Sequence, residues 1–146
     1  MVDEKRVWGD IYVAPATERI SMVKEGVLAD VVTSLVLDMA VSKDWFYRTL
    51  GLGRATIDRK LKTNARLGRA ESEGVLGMAR LIGQVEHMVE SSGDPLHFNA
   101  ARWVAEWLEQ PVAALGGKTP ASYMDTDEGR ALVSGLVAQM QSGAYA

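Results

Sequence analysis

Between Val27 and Ala40 the apolar residues fall in pairs four positions apart: Val27/Leu28, Val31/Val32, Leu35/Val36 and Met39/Ala40. This spacing draws a broad stripe down one side of a helix and does not fit the alternation of a strand. The period returns in Val75, Met78/Ala79, Leu81/Ile82, Val85 and Met88/Val89, which predicts the longest amphipathic helix over Glu71 to Glu90. It returns again in Phe98, Ala101, Val104/Ala105 and Leu108, with Trp103 and Trp107 at i and i+4, and in Leu132/Val133, Leu136/Val137 and Met140. The pattern predicts an all-α chain.

Punctuation divides it. Thr17 can cap a short helix that Gly26 stops, and Ser42 can cap another with Asp44 in its first turn. Gly51-Leu-Gly53 breaks that helix, and Arg54 to Leu61 resumes it. A helix, a glycine turn and a second helix form a helix-turn-helix, with Phe46, Leu50, Leu52 and Ile57 spaced to pack across the turn. Tyr47 stands where close helix contact favours a small side chain. Asn64 to Gly68 reads as a polar hinge, and Asp94-Pro95 as the start of the tryptophan helix. Pro111, Gly116-Gly117, Thr119-Pro120 and Thr126 mark successive stops and starts before the last helix, which ends at Gly143. Residues 1–15, with a β-like run Ile11-Tyr-Val13 before Pro15, read as a flexible arm. The expected organisation is an arm (1–15), a helix-turn-helix DNA-binding and dimerisation domain (16–68) and a helical second domain (69–146).

Charge sharpens the middle of the chain. From Lys43 to Arg69 there are eight basic and two acidic residues, a local charge of +6 in a chain of net charge −3. That concentration points to a local polyanion site. Early residues of the second helix would face base edges, so Arg54 and Arg59 are candidates for guanine contacts. Arg48, Thr56, Lys60, Lys62, Asn64 and Arg66 are candidates for the phosphate backbone. The alternative is a solvated basic face between core helices. The 27–40 stripe reads as a buried core or a self-association face, core for most of it, and Val31, Leu35 and Met39 are its candidates for a homodimer contact.

Other chemistry finds little support. There is no cysteine, and His87 and His97 are isolated, so neither thiolate nor histidine metal sites are expected. Gly116-Gly-Lys-Thr119 resembles a phosphate loop, but Val112 occupies the place of its first glycine and no strand precedes it. No nucleophile–base pair or spaced carboxylate pair stands out, so an enzyme is not expected, nor a cofactor or small-molecule substrate. No leader-like apolar segment or membrane-length run occurs, and a soluble cytoplasmic protein is expected.

At Trp107-Leu108, Pro111, Ala114-Leu-Gly-Gly117, Thr119-Pro120, Thr126, Gly129, Val133 and Leu136 the sequence resembles the C-terminal toxin-binding domain of Xre/MbcA/ParS-type antitoxins. Thr56-Ile-Asp-Arg-Lys-Leu61 and Leu67 to Ser72 resemble that family's helix-turn-helix region. Val112 departs from an asparagine common in the family, and Tyr123-Met124 from a more aliphatic pair. The resemblance implies an antitoxin that binds and neutralises a RES-domain, NAD⁺-degrading toxin by occluding its active site. It also implies a dimer that represses its own operon by binding operator DNA. Trp103, Trp107, Lys118, Tyr123, Arg130, Met140, Tyr145 and Ala146 are the candidate toxin contacts. The rival reading is a dimeric helix-turn-helix regulator without a toxin.

Overall fold

The computed structural model describes residues 7–93 and 98–143. In order they form α1 (Val7–Val13), α2 (Ala16–Glu25), α3 (Asp30–Met39), α4 (Lys43–Leu50), α5 (Arg54–Thr63), α6 (Arg69–Ser92), α7 (Ala100–Leu108) and α8 (Asp127–Ser142). Short 3₁₀ turns occupy Ala113–Leu115 and Pro120–Tyr123. The all-α expectation holds. No helix among the described residues is long and apolar enough to cross a membrane.

The long helix α6 is the axis of the molecule. Its stripe buries Val75, Met78, Ala79 and Ile82 completely, and α1, α2, α3, α7 and α8 all pack on it. Burying a side chain of this size contributes about 1.5–3 kcal/mol, so the stripe supplies a large share of the stability.

Residues 7–13 are not an arm. Val7/Trp8 and Ile11/Tyr12 carry the four-residue pair spacing, and α1 lies along α6 with Trp8 buried and its Nε1 donating to Asp38 Oδ2 at 2.9 Å. Gly83 of α6 makes the approach possible: a Cβ there would stand 2.0 Å from the Trp8 carbonyl oxygen. The guanidinium of Arg19 donates to the carbonyls of Ile11 (3.3 Å), Tyr12 (3.2 Å) and Ala14, closing the C-terminal end of α1. The cap of α2 is Pro15 and not Thr17, because Ala16 is already helical. The rest of the expected arm, residues 1–6, lies outside the described residues.

The expected hinge is also pinned. Asn64 closes α5 in a left-handed conformation, Ala29 N–H donates to Ala65 O at 2.9 Å, and Leu67 N–H donates to Val27 O at 2.8 Å. Leu28 and Arg66 form an isolated antiparallel bridge, and Leu67 is buried. Pairing of its backbone groups leaves this segment little freedom to bend.

The stripe over 27–40 needs a correction as well. Leu35 and Met39 are enclosed by the chain's own core, at 0% and 2% exposure, and Val31 is half-buried. Helices α6 and α7 cover this face, so Leu35 and Met39 cannot serve as a dimer contact.

Where α1 crosses α6, burial pushes the Glu86 carboxyl up to about 7; the Gly9 N–H opposes the rise, and Glu90, Asp38 and Asp10 add to it. A folded-state pKa above the unfolded value means that ionising Glu86 costs the fold. Stability from this group is therefore fully present below its ordinary pKa and is lost as pH rises through about 7. Glu86→Gln should leave Tm unchanged at pH 4 and raise it by about 3 °C at pH 8. A calorimetric melt at the two pH values checks this; equal shifts at both would refute it.

Candidate functional site

The helix-turn-helix is built as its sequence implies. Ser42 Oγ accepts the Trp45 N–H at 3.0 Å, α4 ends at left-handed Gly51, and Gly53 opens α5. Phe46 and Ile57 are completely buried across the turn, with Leu50 at 4% exposure. Tyr47 is accommodated by a bond: its hydroxyl donates to Asp58 Oδ1 at 2.9 Å. Burial, the bond to Asp58 and its charge push the phenol up to about 12. Tyr47 thus bolts α4 to α5, and Asp58 is half-buried by that role.

The basic candidates separate into two sets. Arg54 pairs with Asp44, and Lys60 Nζ with Glu71 Oε1 at 3.0 Å. Burial pushes the Glu71 carboxyl up, but the Gly68 N–H and the Lys60 ammonium, helped by Arg59, outweigh it and hold Glu71 below its usual range. Arg66 donates to Gly26 O at 2.8 Å and pairs with Glu25 at 3.4 Å. Asn64 Oδ1 accepts the Asp30 N–H at 2.9 Å, while Nδ2 donates to Asp30 Oδ2 at 3.2 Å. These side chains serve the fold first. Thr56 is half-buried. Arg48, Arg59 and Lys62 are exposed and form no ion pair among the described residues, which leaves them the cations best placed for a polyanion.

The second surface lies on α7 and the corner after it. Asn99 caps α7, its Oδ1 accepting the Arg102 N–H at 3.1 Å, while the expected start at Asp94-Pro95 lies outside the described residues. Phe98, Trp103 and Trp107 form an aromatic ladder. The Phe98 and Trp103 ring centroids are 6.4 Å apart, and those of Trp103 and Trp107 are 5.7 Å apart with planes within 8°. Both tryptophans are half-buried and Phe98 is 38% exposed. The indole N–H of Trp45 donates to Glu109 at the end of α7, joining the helix-turn-helix to this surface.

Backbone bonds fold residues 112–118 into a tight turn: Gly117 N–H donates to Val112 O at 3.0 Å, and Val112 N–H to Lys118 O at 3.1 Å. Lys118 is exposed on it. Thr119-Pro120 opens the second 3₁₀ turn as expected, and Thr126 Oγ1 accepts the Gly129 N–H at 2.9 Å to cap α8. Tyr123 and Met140 are half-buried.

Arg130 is a strut rather than an open contact. Its guanidinium donates to Met124 O at 2.8 Å and pairs with Asp127, its stem lies over Gly77, and the side chain is only 12% exposed. Tyr145, Ala146 and His97 lie outside the described residues. Phe98 and Trp45 are contributors that sequence reasoning passed over. An Asn-x-x-Arg cap just after Phe98 was the available signal that this aromatic precedes the helix and stays open.

Comparison with known proteins bears on both surfaces. Residues 18–80 match the antitoxin Xre-like helix-turn-helix domain, and residues 92–143 match the antitoxin Xre/MbcA/ParS C-terminal toxin-binding domain. The chain is 42% identical over 136 residues to the Prs ADP-ribosylating antitoxin of Sphingobium sp. (strain YBL2), covering 93% of this chain and 86% of that protein. The chain belongs to the Xre/MbcA/ParS antitoxin family. It is also 23% identical over 129 residues to antitoxin Xre of Yersinia enterocolitica serotype O:8 / biotype 1B (strain NCTC 13174 / 8081), covering 88% of this chain and 82% of that one.

For an antitoxin of this family the two surfaces acquire roles. The aromatic ladder and corner fall within the toxin-binding domain, and α4 and α5 within the helix-turn-helix. The two abut: a Cβ on Gly51, in the helix-turn-helix turn, would stand 3.3 Å from Asp125 Cβ in the corner.

Proposed function

We propose that this antitoxin neutralises a RES-domain toxin that consumes NAD⁺, by covering the toxin's active site with α7 and the 112–129 corner. The observation that carries the reading is the stacked, half-exposed pair Trp103 and Trp107 inside the toxin-binding domain. Stacked tryptophans on a pinned helix offer large apolar area at small entropic cost, the composition of interface hot spots. Lys118, Tyr123, Met140, Tyr145 and Ala146 complete the proposed contact set. The Sphingobium relative is named for ADP-ribosylation of Prs, which favours a toxin that transfers ADP-ribose to a protein over one that only destroys NAD⁺.

The antitoxin itself performs no reaction in this reading; it acts in the cytoplasm as a dimer and represses its own operon. Arg48, Arg59 and Lys62 are the proposed DNA cations, and the dimer contact lies elsewhere than Leu35 and Met39.

Co-expression with a RES-domain protein encoded beside it tests the reading. Cells should be rescued, with NAD⁺ preserved and toxin-dependent ADP-ribosylation abolished. Trp103→Ala/Trp107→Ala should weaken toxin binding by at least about 100-fold while helicity is kept. Full rescue by this variant would place the interface elsewhere. Binding to its own promoter fragment that did not weaken with added salt would count against the DNA role.

A further inference from the structure

Away from both surfaces, α2 and α8 stand as walls over one side of α6 and leave a groove of about 510 Å³. Its apolar lining includes Ile20, Val23, Leu76 and Leu81, and Ile20 keeps 53% of its surface exposed. Five cations stand around this lining, Arg19, Lys24, Arg69, Arg80 and Arg130, and of its two acids Glu73 makes no ion pair among the described residues. Asp127 is on the rim too, but it is already paired with Arg130.

Arg19 already donates to the carbonyls that end α1. Arg69 and Arg80, like Arg48, Arg59 and Lys62 on the helix-turn-helix, are exposed and make no hydrogen bond or ion pair among the described residues. Arg80 also lies close enough to Arg19 that, after burial, its charge is the next cause lowering the Arg19 pKa. Like charges gathered from two helices cost the fold and are relieved by an anion. An acidic chain that gathers guanidinium groups beside the exposed Ile20 side chain, over a floor of largely buried Val23, Leu76 and Leu81, has a site for a ligand that is both apolar and anionic.

Volume and shape narrow the class. About 300–1,000 Å³ is the range of small-molecule pockets. A convex DNA backbone would not reach a recessed apolar floor, but a flat base would. Guanidinium groups recognise phosphate oxygens in bidentate fashion. Arg69 and Arg80 are eleven positions apart on α6, about 16 Å at the helical rise, so they mark opposite ends of the groove. Arg80 shares its end with Arg19. We propose that this groove binds a nucleoside polyphosphate, its base against Ile20 and its phosphates between Arg19 and Arg80.

Calorimetric titration of the full-length protein tests this with ADP, pyrophosphate and adenosine. ADP should bind saturably, and pyrophosphate and adenosine at least about tenfold more weakly, since each supplies half of the contacts. Arg80→Glu should weaken ADP binding by about tenfold or more, and Arg80→Gln by less. Arg48→Glu, on α4, should leave it unchanged. Arg19 is left intact because it holds α1. Unaltered circular dichroism is expected for Arg80→Gln, which keeps the result interpretable should Arg80→Glu fold poorly. Absence of saturable ADP binding, ADP binding undiminished in both Arg80 variants, or pyrophosphate binding as tightly as ADP would each overturn the proposal. No arm uses a toxin, so the outcome is independent of the proposed function.

Discussion

Gly129→Ala should destabilise the protein by about 3 kcal/mol and lower Tm by about 10 °C. A Cβ at this position would stand 1.8 Å from the Tyr123 carbonyl oxygen, 2.8 Å from its carbon and 2.9 Å from Thr126 Oγ1. The nearest obstacle is backbone, which no rotamer change removes. The 3₁₀ turn Pro120–Tyr123 would have to leave α8, and Met124, now 1% exposed, would lose its enclosure. The corner shared by the toxin-binding domain would be deformed with it. Thr126→Ala is the comparison. It removes only the cap to the Gly129 N–H and should cost about 1 kcal/mol. If Gly129→Ala melts no lower than Thr126→Ala, close backbone approach is not what sets the corner.

Gly83→Ala should cost about 2 kcal/mol, although alanine favours the helix over glycine by about 1 kcal/mol. The added carbon would meet the Trp8 carbonyl oxygen at 2.0 Å, its carbon at 2.6 Å and Tyr12 Cβ at 2.9 Å, so α1 must lift from α6. Lifting it exposes Trp8 and removes the acceptors of Arg19. Amide hydrogen exchange reads this locally: protection in α1 should fall by about an order of magnitude or more while the middle of α6 stays protected. Undiminished α1 protection with an unchanged melt would show that the contact is not needed to hold α1.

The same contact explains why α1 was misread from sequence. The pairs Val7/Trp8 and Ile11/Tyr12 have helical spacing, but Ile11-Tyr-Val13 before a proline has the composition of a short strand. A seven-residue helix is marginal alone. It exists because a glycine some seventy positions later lets it lie flat on α6, and no local window contains both.

The basic segment shows a related limit. Its charge of +6 was countable, and the helix-turn-helix around it was legible from Ser42, Gly51 and the buried positions Phe46 and Ile57. Which cations remain for a partner was not legible. Arg66 finds the Gly26 carbonyl 40 positions away, and Asn64 finds Asp30 34 positions away. The chain closes these pairs only when residues 64–67 are stitched beside 27–29. Arg130 likewise became a strut because Gly77 leaves room for its stem.

Sequence by itself determined the helices other than α1, most of their caps, the helix-turn-helix and the proline- and glycine-marked corner that carries the family resemblance. These depend on residues within a turn or two of one another, where period, cap and φ preference act directly. Tertiary structure alone decided that Leu35 and Met39 belong to the core part of their stripe and not to a dimer contact, that α1 is docked, that Arg54, Lys60 and Arg66 are paired, and that the Trp103–Trp107 stack stays half-open. An apolar stripe looks the same whether it meets its own chain or another, and a cation looks the same until its nearest carboxylate is known. Only packing of distant segments supplies that neighbour.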